Sequence, residues 1–324
     1  MAGPLTSWWF PQEPLRRVRL LGVVVYLFLP VDMILFTGGV WGHAHGSSIY
    51  RPVLVARLLH LPGAGTALVY TLFAVVVLGA LVAAAGRLPR VAGYVVALGY
   101  TYWAVLAMSY GKVDHDHLAL IVTLFVLPTV GRATVRTLPT ADQPTVRTLP
   151  TVRTLPTAGR ATGKTPGPGG ASTCGQAAGW ALRCVQIAVV ATYFLSAYAK
   201  IRHGGWEWPN GATFQWAVTR RGTFFGHFVA GIPGALLIGQ WVVLLAETAS
   251  PVLLFLRGRA LYAGVAFFLA FHVVTWAAIT IHFLPHVICL AAFLPLERVV
   301  QRARRGAAGQ PVPVACDKAV DAVG

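Results

Sequence analysis

The chain has 324 residues, 56% of them hydrophobic and only 11% charged, and its mean hydropathy is +0.66. That is too apolar for one or two water-soluble domains and implies an all-α, polytopic transmembrane helix bundle. The formal net charge of +16 does not indicate nucleic acid, because the basic residues fall in short segments between apolar runs, where they meet anionic headgroups and set orientation.

Residues 1–17 read as an amphipathic lead-in: Trp8, Trp9 and Phe10 suit an interface, and Pro11 and Pro14 break the helix. About 20 apolar residues cross a hydrocarbon core of ~30 Å. On that measure the spans fall at 18–36, 66–85, 91–108, 118–130, 180–200, 231–256, 260–280 and 281–296, about eight in all. Asp32, in the first span, is either solvated at the outer interface or paired with a buried cation. The loop over 38–66 carries His43 and His45, which share a face and could hold a metal only if extended. The fourth run is short for a crossing unless the segment before it, containing Asp114, His115, Asp116 and His117, lies inside the protein at membrane depth.

Residues 131–173 differ in kind. Thr-Val-Arg-Thr-Leu-Pro occurs at 134–139, 145–150 and 151–156. A short repeat rich in Pro, Thr and Arg builds no core and is expected to be disordered. The chain thus divides into a first half of the bundle (1–130), a low-complexity cytoplasmic linker (131–173), a second half (174–297) and a basic cytoplasmic tail (298–324). Cys174, Cys184, Cys289 and Cys316 show neither CxxC nor an even framework and read as free thiols.

Eight crossings starting from inside put both termini in the cytoplasm of what reads as a bacterial cytoplasmic membrane. Arg16, Arg17, Arg19, Arg87, Arg90, Arg257 and Arg259 then lie on the inner side, with the linker and tail. The same count gathers His43, His45, Asp114, His115, Asp116, His117, Lys200, His203, Glu207, His282 and His286 at the outer face. Ionisable groups at membrane depth are costly unless paired and mark function. A lysine amine among apolar spans favours its neutral form, which a base requires. Lys200 is therefore the candidate base, with His115 and His117 as proton carriers or substrate contacts. His272, inside the seventh span, is a further candidate or a hydrogen-bonded packing residue. His282 and His286 are four apart, but Pro285 disturbs their register, and no metal is assigned.

In order, Asp114-His115-Asp116-His117-Leu118, then Tyr193-Phe194, Lys200-Ile201-Arg202, Gly205-Trp206 and Gly211, then Phe271-His272, resemble the HTTM family, the membrane domain shared with vitamin K-dependent gamma-carboxylase. The resemblance covers roughly 14–297 apart from the linker. It implies Lys200 as the base that deprotonates a reduced quinone (vitamin K-type or menaquinol), with His115 and His272 assisting. It also implies oxygen-using, lyase-type modification of a peptide or small molecule. Asp114, Asp116, His117, His203, Trp206, His282 and His286 are the expected substrate or cofactor contacts. Two departures stand out: the carboxylases continue into a large lumenal portion where this sequence stops shortly past its last expected span, and Ala199 precedes Lys200 where those enzymes have paired lysines. A quinone-binding or transport protein, and a non-catalytic assembly or immunity partner, remain alternatives. Lipid, quinone and a peptide are the expected partners.

Overall fold

The computed structural model describes residues 3–45, 47–111, 113–130 and 174–299. The linker repeats, Lys112, Cys316 and nearly all of the tail lie outside them. A short helix α1 (Pro4–Trp9) precedes α2 (Leu15–Val31), which runs on into a π-helical turn, Asp32–Phe36. Then come α3 (Gly39–His43), α4 (Leu54–Leu58), α5 (Thr66–Ala84), α6 (Pro89–Met108) and α7 (His117–Val130). The second half holds α8 (Gln176–Gly204), α9 (Ala212–Arg221), α10 (Phe224–Ala230), α11 (Ala235–Ala249), α12 (Gly258–Ile279) and α13 (Leu284–Cys289).

Among the described residues six helical stretches are long and apolar enough to cross a membrane: Leu15–Phe36, Thr66–Ala84, Pro89–Met108, Gln176–Gly204, Ala235–Leu254 and Gly258–Ile279. Two expected spans are shorter. Helix α7 has 14 residues, about 21 Å at 1.5 Å per residue. The last apolar run is non-helical over 281–283 and becomes helical at Leu284, because Pro285 is accommodated only in a helix's first turn. Large apolar side chains such as Leu78, Leu98 and Val273 point outward, as helices bathed in lipid require.

Small residues bring the first-half helices together. A Cβ on Gly79 would fall 2.8 Å from the Val96 side chain, so α5 and α6 approach closely there. The ends of the bundle are tied at one side. Residues Glu13 and Pro14 pair antiparallel with Gly175 and Cys174, and the Arg17 guanidinium forks onto Glu297 with contacts of 2.7 and 2.9 Å. The start of the first span and the end of the last helix therefore lie at the same end. Trp8 lies under the Arg183 guanidinium, 4.4 Å from its ring centre, which seats α1 against α8.

Two expectations change, one for His43 and His45 and one for the cysteines. The loop over 38–66 holds α3 and α4, so His43 ends a helix, stacks on Tyr110 at 3.6 Å and does not share an extended face with His45. The aromatic stretch after Lys200 folds as α9 and α10, with Trp216, Phe224 and Phe228 outward. Among the cysteines, Cys184 and Cys289 are free but Cys174 is disulfide-bonded.

Candidate functional site

Helix α8 carries Tyr193, Ser196 and Lys200, three and four residues apart and so on one face. Lys200 Nζ donates to Ser196 Oγ at 2.9 Å and forms an ion pair with Glu247 of α11; Ser196 also donates to Glu247 at 3.4 Å. The Glu247 side chain is 7% exposed and that of Lys200 21%. Lys200 thus has a buried carboxylate against it, a partner absent from the sequence reading. The signal was present in the sequence, since a glutamate well inside an apolar span demands a cation nearby.

Lys200 and His115 line the same cavity of about 710 Å³. One wall is α7, through Leu118, Ile121 and Val122; the other is α8, through Ala188, Ala191, Thr192, Leu195, Ser196 and Ala199. Leu118, Val122 and Leu195 are themselves exposed on the outer surface of the bundle, so the cavity is a lateral cleft between two helices. Its length is apolar; its polar end is made of His115, Ser196 and Lys200.

Behind α7 lies a second polar cluster. His117 is buried, with Nε2 3.2 Å from Asp32 Oδ1 and Nδ1 3.1 Å from Asp116 Oδ1. Each ring nitrogen of His117 therefore faces one carboxylate. Tyr100 donates to Asp32 Oδ2 at 2.7 Å, Thr37 donates to the same oxygen at 3.2 Å, and Trp103 donates to Thr37 at 2.8 Å. Asp32 is thus fully buried and paired, not solvated. Asp32 continues the buried face of α2 after Leu21, Val25 and Leu29, and the Thr37 amide bonds back across the π turn to the Asp32 carbonyl at 2.8 Å.

A third cluster joins α8, α12 and α13. The Tyr193 hydroxyl lies 2.7 Å from His272 Nε2, and the Tyr193 ring meets the His286 ring edge-on at 4.4 Å. His286 is 2% exposed. Among the described residues neither of its ring nitrogens, nor His272 Nδ1, has a hydrogen-bond partner. Phe283 packs between this cluster and the cavity mouth, 5.3 Å from His272 and 6.2 Å from His115.

The remaining candidates are dispersed. Asp114 is half-buried in the turn that starts α7, where its carbonyl accepts from the His117 amide. His282 packs against Phe36 with the rings tilted and their centres 4.2 Å apart. His203 is exposed and Trp206 is 80% exposed, so neither joins Lys200 at the cavity. Trp208 does approach the lysine, its ring centre 5.3 Å from Nζ. The sequence singled out Trp206 and not Trp208 because the helix ends before Gly205 and the period that would orient the next residues ends with it. Among the described residues no group of three or more His, Cys, Asp or Glu side chains is set to hold a metal ion.

No protein-family model matches the chain, and no curated protein or solved structure matches it either.

Proposed function

We propose that the chain is an integral membrane enzyme of eight spans, in which the Lys200–Glu247 pair accepts a proton from a quinol-like molecule held in the α7–α8 cleft. The observation that carries this reading is the shared cavity of Lys200 and His115. A cleft with long apolar walls, a polar end and a lateral opening suits an amphiphile that arrives through the bilayer. His115, Ser196 and Lys200 would hold the ring hydroxyls, and Leu118, Ile121 and Ala191 the apolar body. The bound reduced quinone would supply the electrons for oxygen chemistry. The resemblance of the 114–118, 193–211 and 271–272 blocks to the HTTM family motivates that choice.

The residues work as follows. The ammonium passes its proton to Glu247, and the neutral amine takes the hydroxyl proton of the bound molecule. One negative charge moves from Glu247 to the substrate oxygen while the restored ammonium stays beside it. The charge in the cleft is conserved, so no new net charge enters a low-dielectric site. A peptide would be the acceptor of the modification.

The arginine bias supports both termini inside and the polar end of the cleft at the outer face; the bacterial cytoplasmic membrane is the setting proposed with it. Cys174 weighs the other way, since a disulfide at the inner end is disfavoured in a reducing cytoplasm. The arginines are more numerous and carry the assignment.

The test is quinol-dependent oxygen uptake by purified protein in lipid. Lys200→Ala is expected to abolish uptake while an oxidised quinone analogue still binds the apolar walls. Undiminished uptake in that variant overturns the reading; binding without uptake in the parent chain identifies a quinone carrier instead.

A further inference from the structure

The segment that follows α8 packs over the Lys200–Glu247 pair, and every contact that fixes it is made by a residue so far unassigned. Two glycines bound it: Gly205, with φ of 71°, and Gly211, with φ of 90°. Both are backbone conformations that other residues adopt only under strain. Between them the chain doubles back. The Trp208 amide donates to the Gly205 carbonyl at 3.1 Å, and the Trp208 carbonyl accepts from the Asn210 amide at 2.9 Å. That carbonyl also accepts from Gln240 Nε2 at 2.6 Å. Gln240 is completely buried on α11, seven residues and so two turns before Glu247. The side chain that latches the segment and the carboxylate that pairs with the lysine thus project from one face of one helix. The approach is close: a Cβ on Gly204 would fall 2.6 Å from the Trp208 ring.

We infer that Trp208 and Gln240 are positioning residues for Lys200: the indole face covers the ammonium, and the Gln240 amide holds the indole in place by gripping its backbone. A cation at the face of an indole is attracted by the ring quadrupole, more strongly where water is excluded. The ring therefore does two things at once. It restrains the long lysine side chain opposite Glu247, and it closes the side of the pair away from the cleft. The other charged or titratable groups near the amine do not substitute for it. His115 shares the cleft, whereas Glu207, Arg202 and His203 are exposed.

The inference rests on the proposed function only in naming the clamped amine as the base, and its test needs no turnover. The full chain in detergent is treated with acetic anhydride, and acetylation of Lys200 is followed by peptide mass spectrometry. Loss of the ring in Trp208→Leu is expected to raise the Lys200 rate roughly three- to tenfold, the range expected for a partly desolvated cation–ring contact. Gln240→Leu, which never touches the lysine, is expected to give the same rise. Trp208→Phe keeps an aromatic face and should stay within about twofold of the parent chain; Trp206→Leu should leave the rate unchanged. A Gln240→Leu protein that labels like the parent overturns the inference, as does a Trp208→Phe protein that labels as fast as Trp208→Leu. Should Trp208→Leu not fold, the Gln240→Leu and Trp208→Phe comparison decides alone. A chain that oxidises no quinol but shows this labelling pattern refutes the proposed chemistry and leaves the clamp standing.

Discussion

His117 Nε2 lies 3.2 Å from Asp32 Oδ1, joining two residues 85 positions apart and fixing α7 to the π turn of α2. The contact is buried and the imidazole also faces Asp116, so each partner depends on the others. Asp32→Ala strands the Tyr100 hydroxyl and half of the His117 ring; the expected cost is about 3–5 kcal/mol. His117→Ala strands two carboxylates at similar cost. The double variant should be far less damaging than the sum, because the groups form one network. Thermal melts of the purified protein measure all three; additive losses would show that the contact is not coupled.

The Lys200–Glu247 pair separates stability from chemistry. Lys200→Met leaves a buried carboxylate without its cation, a loss of about 3 kcal/mol. Adding Glu247→Gln is expected to restore most of the melting temperature and none of the oxygen uptake. Full stability in Lys200→Met alone would mean that Glu247 is not held by the lysine.

The Arg17 fork gives a pH dependence with a defined sign. Burial pushes the Glu297 carboxyl up, but the bidentate hydrogen bond and charge of Arg17 outweigh it and the group sits below the ordinary value of 4.5. A depressed carboxyl stabilises the fold fully above its unfolded value, and that stability is lost as pH falls through the folded value. The melting-temperature difference between the parent chain and Glu297→Gln should therefore be largest near neutrality and shrink below about pH 4.5. Glu13, raised by burial despite Arg17 at 2.7 Å, has the opposite sign. Its contribution is present at low pH and falls away as pH rises past the folded value.

Filling the cleft tests its role as a binding site. Ala191 lines it and is only partly buried. Ala191→Phe places a ring in the apolar channel without touching Lys200, His115 or Glu247. Binding of a quinone analogue is expected to weaken at least about tenfold, the equivalent of 1.4 kcal/mol, with an unchanged melting temperature. Unchanged binding would place the ligand elsewhere.

Sidedness follows from labelling. Trp206→Cys, at a strongly exposed position beside the polar end of the cleft, should react with an impermeant maleimide on intact cells. Arg87→Cys, exposed at the α5–α6 turn, should react only after lysis. The reverse pattern would invert the topology and reconcile it with the Cys174 disulfide.

The sequence states its periodic features well and its long-range partners poorly. The uncharged run over Thr66–Ala84 and the Tyr193, Ser196, Lys200 face are legible because hydropathy and helical spacing are local properties. The Asp32 and Glu247 partners are not, since nothing within a helical turn of either identifies them. Gln240 and Glu247 share a face of α11, and that polar stripe on an apolar helix was the readable sign of a companion across the groove. Trp208 lies beyond a left-handed glycine, where helical periodicity no longer applies.

The cleft takes one wall from α7 and the other from α8, helices that stand on either side of the repeats at 134–156. Neither portion of the polypeptide forms the cleft by itself. A gene interrupted within the repeats would encode two fragments that form the cleft only when they reassociate along that seam. Slippage in those repeats can lengthen or shorten the tether without altering a single side chain that a ligand meets.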